Sequence, residues 1–292
     1  MFSNVSRRHF LQASAAISCT PFLGGLTKVF GAESERPYKI GICDWDLGAT
    51  GDPKSFAIAK ELGVEGVEVS YQPEGEFSLS QKKNRQLFLD TAKKEGIAIP
   101  SFAMGILNGV PLSTAEPTEG WVADCIDAMD EMDVRKTLLA FFGEDDIKAN
   151  IENRNKAIEK MKRLGQKAEK KKVVLGIESY LNAKEHLDML EKIGSDAVKI
   201  YYDEQNMLTK EYAIYDDMEL LLKNKAICQV HCKEYGSRLG KGKVDFVKIR
   251  DLLVKYDYKG WLIIETSVEG DWKESHKANA IYLNEVFNGK KA

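Results

Sequence analysis

The sequence predicts a single (β/α)₈ barrel, and three observations predict it. From Tyr38 onward, short apolar runs alternate with longer amphipathic ones. Eight runs of each kind follow one another in strict order. They fill roughly 250 residues, the usual size of this fold. Strands that alternate with helices pair in parallel, and eight such units close on themselves.

The first strand is expected over Lys39–Cys43, with an amphipathic pattern over Pro53–Leu62 that Gly63 ends. Gly66–Val69 is the second strand and Gln81–Glu95 its helix, stopped by Gly96. Ala98–Ala103 leads into Glu119–Met132, Lys136–Ala140 into Lys148–Lys170, and Val173–Ile177 into Ala183–Lys192. The last three units pair Ala197–Tyr202 with Met218–Lys223, Ala226–His231 with Phe246–Lys255, and Trp261–Glu265 with Glu274–Phe287. Gly260 sets the last strand off from Lys259. An open doubly wound sheet is the alternative, but no G-x-G-x-x-G follows the first strand. No linker or composition shift divides residues 38–290, so they are expected to form one domain.

The chain is 43% apolar and 30% charged, with a formal net charge of -3. Residues 1–32 hold Arg7, Arg8 and Lys28 and no acid, so the remainder is more acidic still. Such a body lacks the basic face that nucleic acid needs. Residues 1–32 read as an export signal. Ser6-Arg7-Arg8-His9-Phe10-Leu11-Gln12 resembles the twin-arginine pattern, and a weakly apolar run from Ala13 to Leu26 follows, broken by Pro21. That run is too short to span a membrane. Cleavage near Ala32 would deliver a periplasmic protein, and a lipid on Cys19 would tether it instead. A chance arginine pair in an ordinary N-terminus is the other reading. Cys43, Cys125, Cys228 and Cys232 show no CxxC spacing and read as small buried hydrophobes rather than disulfides.

Active sites of such barrels form at the C-terminal ends of the strands. The first strand ends at Cys43-Asp44-Trp45 and the second at Val67-Glu68-Val69. The fifth to eighth strands end at Glu178, Asp203, His231 and Glu265, each directly after an apolar run. Four such groups on neighbouring strands would converge, and a divalent cation would keep them from repelling one another. Three carboxylates and an imidazole suit Mn²⁺ best, with Mg²⁺, Co²⁺ or Zn²⁺ also accommodated. The alternative is a web of buried acids paired with Lys199 and Lys233. Strand alternation puts Gln229, His231 and Lys233 on one face, so Lys233 should point inward above His231, toward a substrate oxygen. A rim pair with Glu234 is the competing reading for that lysine.

These pieces resemble the xylose isomerase-like TIM barrels, which include sugar phosphate isomerases and ketose 3-epimerases. The matching motifs are Leu175-Gly-Ile-Glu178, Tyr202-Asp203-Glu-Gln-Asn206, Val230-His231-Cys-Lys233-Glu234, Leu239-Gly240-Lys-Gly242-Lys-Val-Asp245-Phe246 and Gly260-Trp-Leu-Ile-Ile-Glu265. A weaker match covers Ala59 to Glu68. The resemblance implies one metal ion held by Glu178, Asp203, His231 and Glu265. It also implies that Glu178 and Glu265 move protons on opposite faces of a sugar carbon. Substrate contacts are expected from Lys233, Asn206, Glu68, Arg238 and Trp45. The chain departs from the epimerases at Asn206, where they carry histidine, and at Ser237, where they carry arginine, Arg238 standing one place later. Barrels of the endonuclease IV type need many histidines, and only His186, His231 and His276 remain beyond the signal.

Gly240-Lys241-Gly242 reads either as a phosphate loop or as a tight turn. Export favours the turn, because no ATP-driven sugar phosphorylation is expected outside the cytoplasm. Trp45, Phe102, Trp121 and Tyr180 are candidates to stack on a sugar ring. The expected function is therefore a metal-dependent isomerase or epimerase of a free sugar or sugar derivative. The alternatives are a lyase or dehydratase acting on a 3-keto-glycoside or inosose, and a non-catalytic sugar-binding barrel. A small carbohydrate is the expected partner, and a homo-oligomer is compatible with all three.

Overall fold

A computed structural model describes residues 37–268 and 270–289; the expected signal, residues 1–32, lies outside them. The strands are β1 (Tyr38–Cys43), β2 (Gly66–Ser70), β3 (Phe102–Met104), β4 (Lys136–Phe141), β5 (Val174–Ser179), β6 (Val198–Asp203), β7 (Ile227–Cys232) and β8 (Gly260–Ile264). They form a closed parallel barrel in sequence order, β1 pairing with β8 from Tyr38↔Gly260 to Ile42↔Ile264. The helices are α1 (Ser55–Leu62), α2 (Lys82–Glu95), α3 (Thr118–Met132), α4 (Ile151–Lys171), α5 (Ala183–Ile193), α6 (Glu204–Thr209), α7 (Ile214–Lys223), α8 (Phe246–Lys255) and α9 (Trp272–Asn288). The single (β/α)₈ barrel is thus the fold. None of these helices is long and apolar enough to cross a membrane.

Two elements depart from the expected pattern, each for a local reason. β3 is shorter than Ala98–Ala103, because Pro100 has no N–H to give a ladder and Ala98 makes only an isolated bridge to Gly66. α6 was not expected. Asp203 starts it by accepting a hydrogen bond from the Asn206 amide at 2.8 Å. The predicted stops at Gly63 and Gly96 hold: both sit at positive φ, 77° and 72°, and return amides to the preceding helix.

Alternation along each strand divides the core in two. Outward side chains such as Ile40, Val67, Ile177 and Ile200 pack against the helices. Inward ones, among them Cys43, Tyr201 and Ile263, fill the barrel, joined by Cys228 where the β6–β7 register shifts. Cys43, Cys125, Cys228 and Cys232 are all buried and free, as expected of packing groups. Trp261 packs against this inner cluster, and a Cβ added at Gly66 would lie 2.7 Å from its indole. Gly66→Ala is therefore expected to lower stability by about 1–3 kcal/mol, read as a reduced denaturant midpoint at unchanged slope.

Candidate metal centre

β5, β6, β7 and β8 deliver Glu178, Asp203, His231 and Glu265 to one point at the C-terminal mouth. One donor atom from each lies within 4.8 Å of all the others. His231 turns Nδ1 toward this cluster, 3.4 Å from Glu178 Oε1 and 3.1 Å from Glu265 Oε2. Glu178, Asp203 and His231 are buried, and Glu265 is partly open to the pocket. The Lys233 ammonium is 2.7 Å from Glu265 Oε2 and 3.2 Å from Asp203 Oδ2. It lies inward as strand alternation requires, and no pair with Glu234 forms. The short α6 hangs Asn206 over the cluster, where its Nδ2 donates to Glu178 Oε1 at 3.0 Å. Tyr235 Oη donates to Asn206 Oδ1 at 3.1 Å and fixes that amide's orientation.

Electrostatics follow from this crowding. Burial pushes the Asp203 carboxyl up to about 8, against the pull of Lys233. Burial acts the same way on Glu265, but His231 and Lys233 outweigh it and hold that carboxyl below its usual range. Burial disfavours a charged Lys233, yet Asp203, Glu265 and Glu178 raise its basicity.

The donor set fits a hard divalent cation. Three carboxylates and one imidazole nitrogen meet at a spacing that a cation of this class spans. Asp203 Oδ2 is buried and accepts no hydrogen bond, although the Lys233 ammonium stands near it. An acceptor left in that condition is what a cation would satisfy.

A cavity of about 410 Å³ opens above the cluster. Of the expected substrate contacts, Lys233, Asn206 and Trp45 line it. Glu68 and Arg238 do not. Glu68 is wholly buried below the cluster, and Arg238 is turned away, donating through Nε to Ser275 Oγ at 3.2 Å. Tyr180 lines the cavity as expected of a stacking residue, whereas Phe102 is core and Trp121 packs on α3 against it. Residues that sequence reading missed are Gln72, Asn108, Phe142 and Tyr235. Only Tyr235 carried a signal, two positions beyond Lys233 in the same run.

Gly240-Lys241-Gly242 is a turn closed on the protein itself. The Glu234 carboxylate accepts the amides of Lys243 and Val244, each at 3.1 Å. A Cβ at Gly242 would collide with that carboxylate. The acceptor that a phosphate would supply is thus already a glutamate.

Comparison with known proteins agrees with the fold. Among curated proteins none matches. The chain is similar in structure to D-psicose 3-epimerase, with a TM-score of 0.72 at 15% identity, over 86% of this chain and 100% of that one. It is similar to the 3-keto-D-glucoside 4-epimerase of E. coli, with a TM-score of 0.69 at 15% identity, over 85% and 99%. It is also similar to a xylose isomerase-like TIM barrel protein from Mycobacterium smegmatis in complex with magnesium, with a TM-score of 0.68 at 18% identity, over 87% and 98%. The profile of one family matches residues 56–286, most of the barrel, and the chain belongs to that family, the xylose isomerase-like TIM barrels.

Proposed function

We propose that the protein is a divalent-metal-dependent epimerase or isomerase acting on an uncharged sugar or sugar derivative. The observation that carries this reading is the pair Glu178 and Glu265, both lining one cavity and both donors to one cation position. Structural likeness to sugar epimerases supports it. When bound, the metal supplies a Lewis acid that acidifies the C–H beside a coordinated carbonyl. Likeness to a magnesium complex and the oxygen-rich donor set support Mg²⁺ or Mn²⁺ in that role.

The chain's own residues supply the rest. One of the two glutamates takes the proton from the substrate carbon, leaving an enediolate, and the other returns a proton from the opposite face. Asn206 holds Glu178 in place through its amide. Lys233 lines the cavity and would stabilise oxyanion charge that develops on the substrate. Trp45, Phe142 and Tyr180 present apolar ring surface that stacks on a pyranose and keeps water out.

The turn that Glu234 closes supports the uncharged substrate. Among the described residues, Lys233 is the one basic side chain lining the cavity, and two carboxylates already pair with it. The test is incubation with ketoses, aldoses and 3-keto-glycosides in D₂O. Deuterium should enter a product of otherwise unchanged mass. Release of water or an aglycone would make the enzyme a lyase, and no exchange with any sugar would sink the reading. The Ser6–Gln12 motif supports export by the twin-arginine route, which predicts loss of periplasmic protein when Arg7 and Arg8 are both replaced by lysine.

A further inference from the structure

Glu68 is expected from sequence to touch substrate, and the structure gives it a different environment. It is wholly buried, and its two oxygens divide their partners. Oε1 lies 3.0 Å from His231 Nε2, with the Cys43 thiol at 3.7 Å. Oε2 accepts from Ser101 Oγ at 2.5 Å and from Tyr201 Oη at 2.6 Å. Gln229 Nε2 in turn donates to both of those hydroxyl oxygens, at 2.7 and 2.8 Å.

The donors around Glu68 Oε2 follow from the Gln229 amide nitrogen. The Gln229 amide nitrogen can only donate, so each hydroxyl accepts from it and spends its own proton on Glu68. Glu68 Oε1 is the acceptor that faces His231 Nε2, which then carries the hydrogen. The other ring nitrogen, Nδ1, is the one turned toward Glu178 and Glu265. A histidine that ligates through one nitrogen needs its other nitrogen protonated and held, and a carboxylate does this best.

We propose that Glu68 is the positioning residue of the metal centre. It fixes His231 in the tautomer whose Nδ1 lone pair faces the carboxylate cluster, and Ser101, Tyr201 and Gln229 hold Glu68 in place to do so. The proposal rests on the metal reading above. Cys43, Glu68 and His231 also bring donor atoms within 4.8 Å of one another. There, however, Glu68 Oε1 is taken by the ring N–H and Oε2 by two hydroxyls, so the hydrogen-bond network accounts for the grouping without a second cation.

Glu68→Gln tests this. A glutamine keeps the volume, but its nitrogen donates, so it cannot accept from His231, Ser101 and Tyr201 together. Titration with Co²⁺ is expected to show one site in both proteins, bound roughly 10–100-fold more weakly in the variant. Nitrogen-15 spectra of histidine-labelled, Zn²⁺-saturated wild type should show His231 protonated at Nε2 alone. The chain holds only four histidines, which makes that signal assignable. Equal Co²⁺ affinity in both proteins, an Nδ1-protonated His231, or a thiolate-to-cobalt absorption band from Cys43 would each overturn the proposal. If wild type takes up no divalent cation, the metal reading itself falls and this proposal with it. Uptake unaffected by Glu68→Gln removes only this proposal. Should Glu68→Gln not fold, Tyr201→Phe keeps the carboxylate and deletes one of its donors. Several-fold weaker Co²⁺ binding then supports the proposal, and unchanged binding overturns it.

Discussion

Glu178→Gln and Glu265→Gln are each expected to lower turnover by roughly 10²–10⁴-fold, the range that a positioned acid or base contributes. The amide is isosteric with the carboxylate and keeps a carbonyl oxygen as a donor. It cannot take a proton from carbon. Loss of the base is therefore separable from loss of the cation by measuring bound metal in each variant. Their positions also predict different phenotypes for the two variants. Glu178 is buried and steadied by Asn206, while Glu265 is more open and paired with Lys233. If the two glutamates serve opposite faces, each variant should still exchange the substrate hydrogen with D₂O from one epimer and not from the other. Residual conversion within a few-fold of wild type, in either variant, would remove the two-base mechanism.

The four converging residues were legible in the sequence because each ends an apolar run, and a parallel strand that is buried on both faces reads as such a run. Strand alternation then placed Lys233 correctly with no further information. What surrounds the cluster was legible only in part. Phe142 lies in a connection and Asn108 ends a single 3₁₀ turn, Gly105–Asn108, where no period relates a residue to a face. α6 is six residues long, too short to show helical periodicity, yet it sets Asn206 against Glu178. Glu68 reads as a strand-end residue like Glu178, but β2 runs from Gly66 to Ser70 and leaves it in mid-strand. Its depth depends on where β2 stands in the barrel relative to Tyr201 and Ser101, which are far away in sequence. Arg238 was offered for a family arginine by proximity in sequence, and the turn that Glu234 closes carries it toward α9 instead.

Removal of divalent cations by a chelator is expected to abolish turnover and to lower the melting temperature by roughly 5–10 °C, restored on adding Mg²⁺ or Mn²⁺. The stability effect follows from linkage. A cation that binds only the folded chain, present at about 100 times its dissociation constant, stabilises by about 2.7 kcal/mol. For a barrel of this size each kcal/mol moves the midpoint by roughly 2–4 °C. The sign is favoured by the cluster's composition, because without the cation Lys233 is the nearest full positive side chain to Glu265 and Asp203. Lys233→Met should then enlarge the difference between loaded and stripped protein, since the stripped form loses a close counter-charge while the loaded form keeps the cation. A melting temperature indifferent to chelator in both proteins would mean that the acids are balanced by Lys233 and His231 alone. Glu178, Asp203 and Glu265 would then be a structural ion-pair network, and the catalytic reading would fail with the metal.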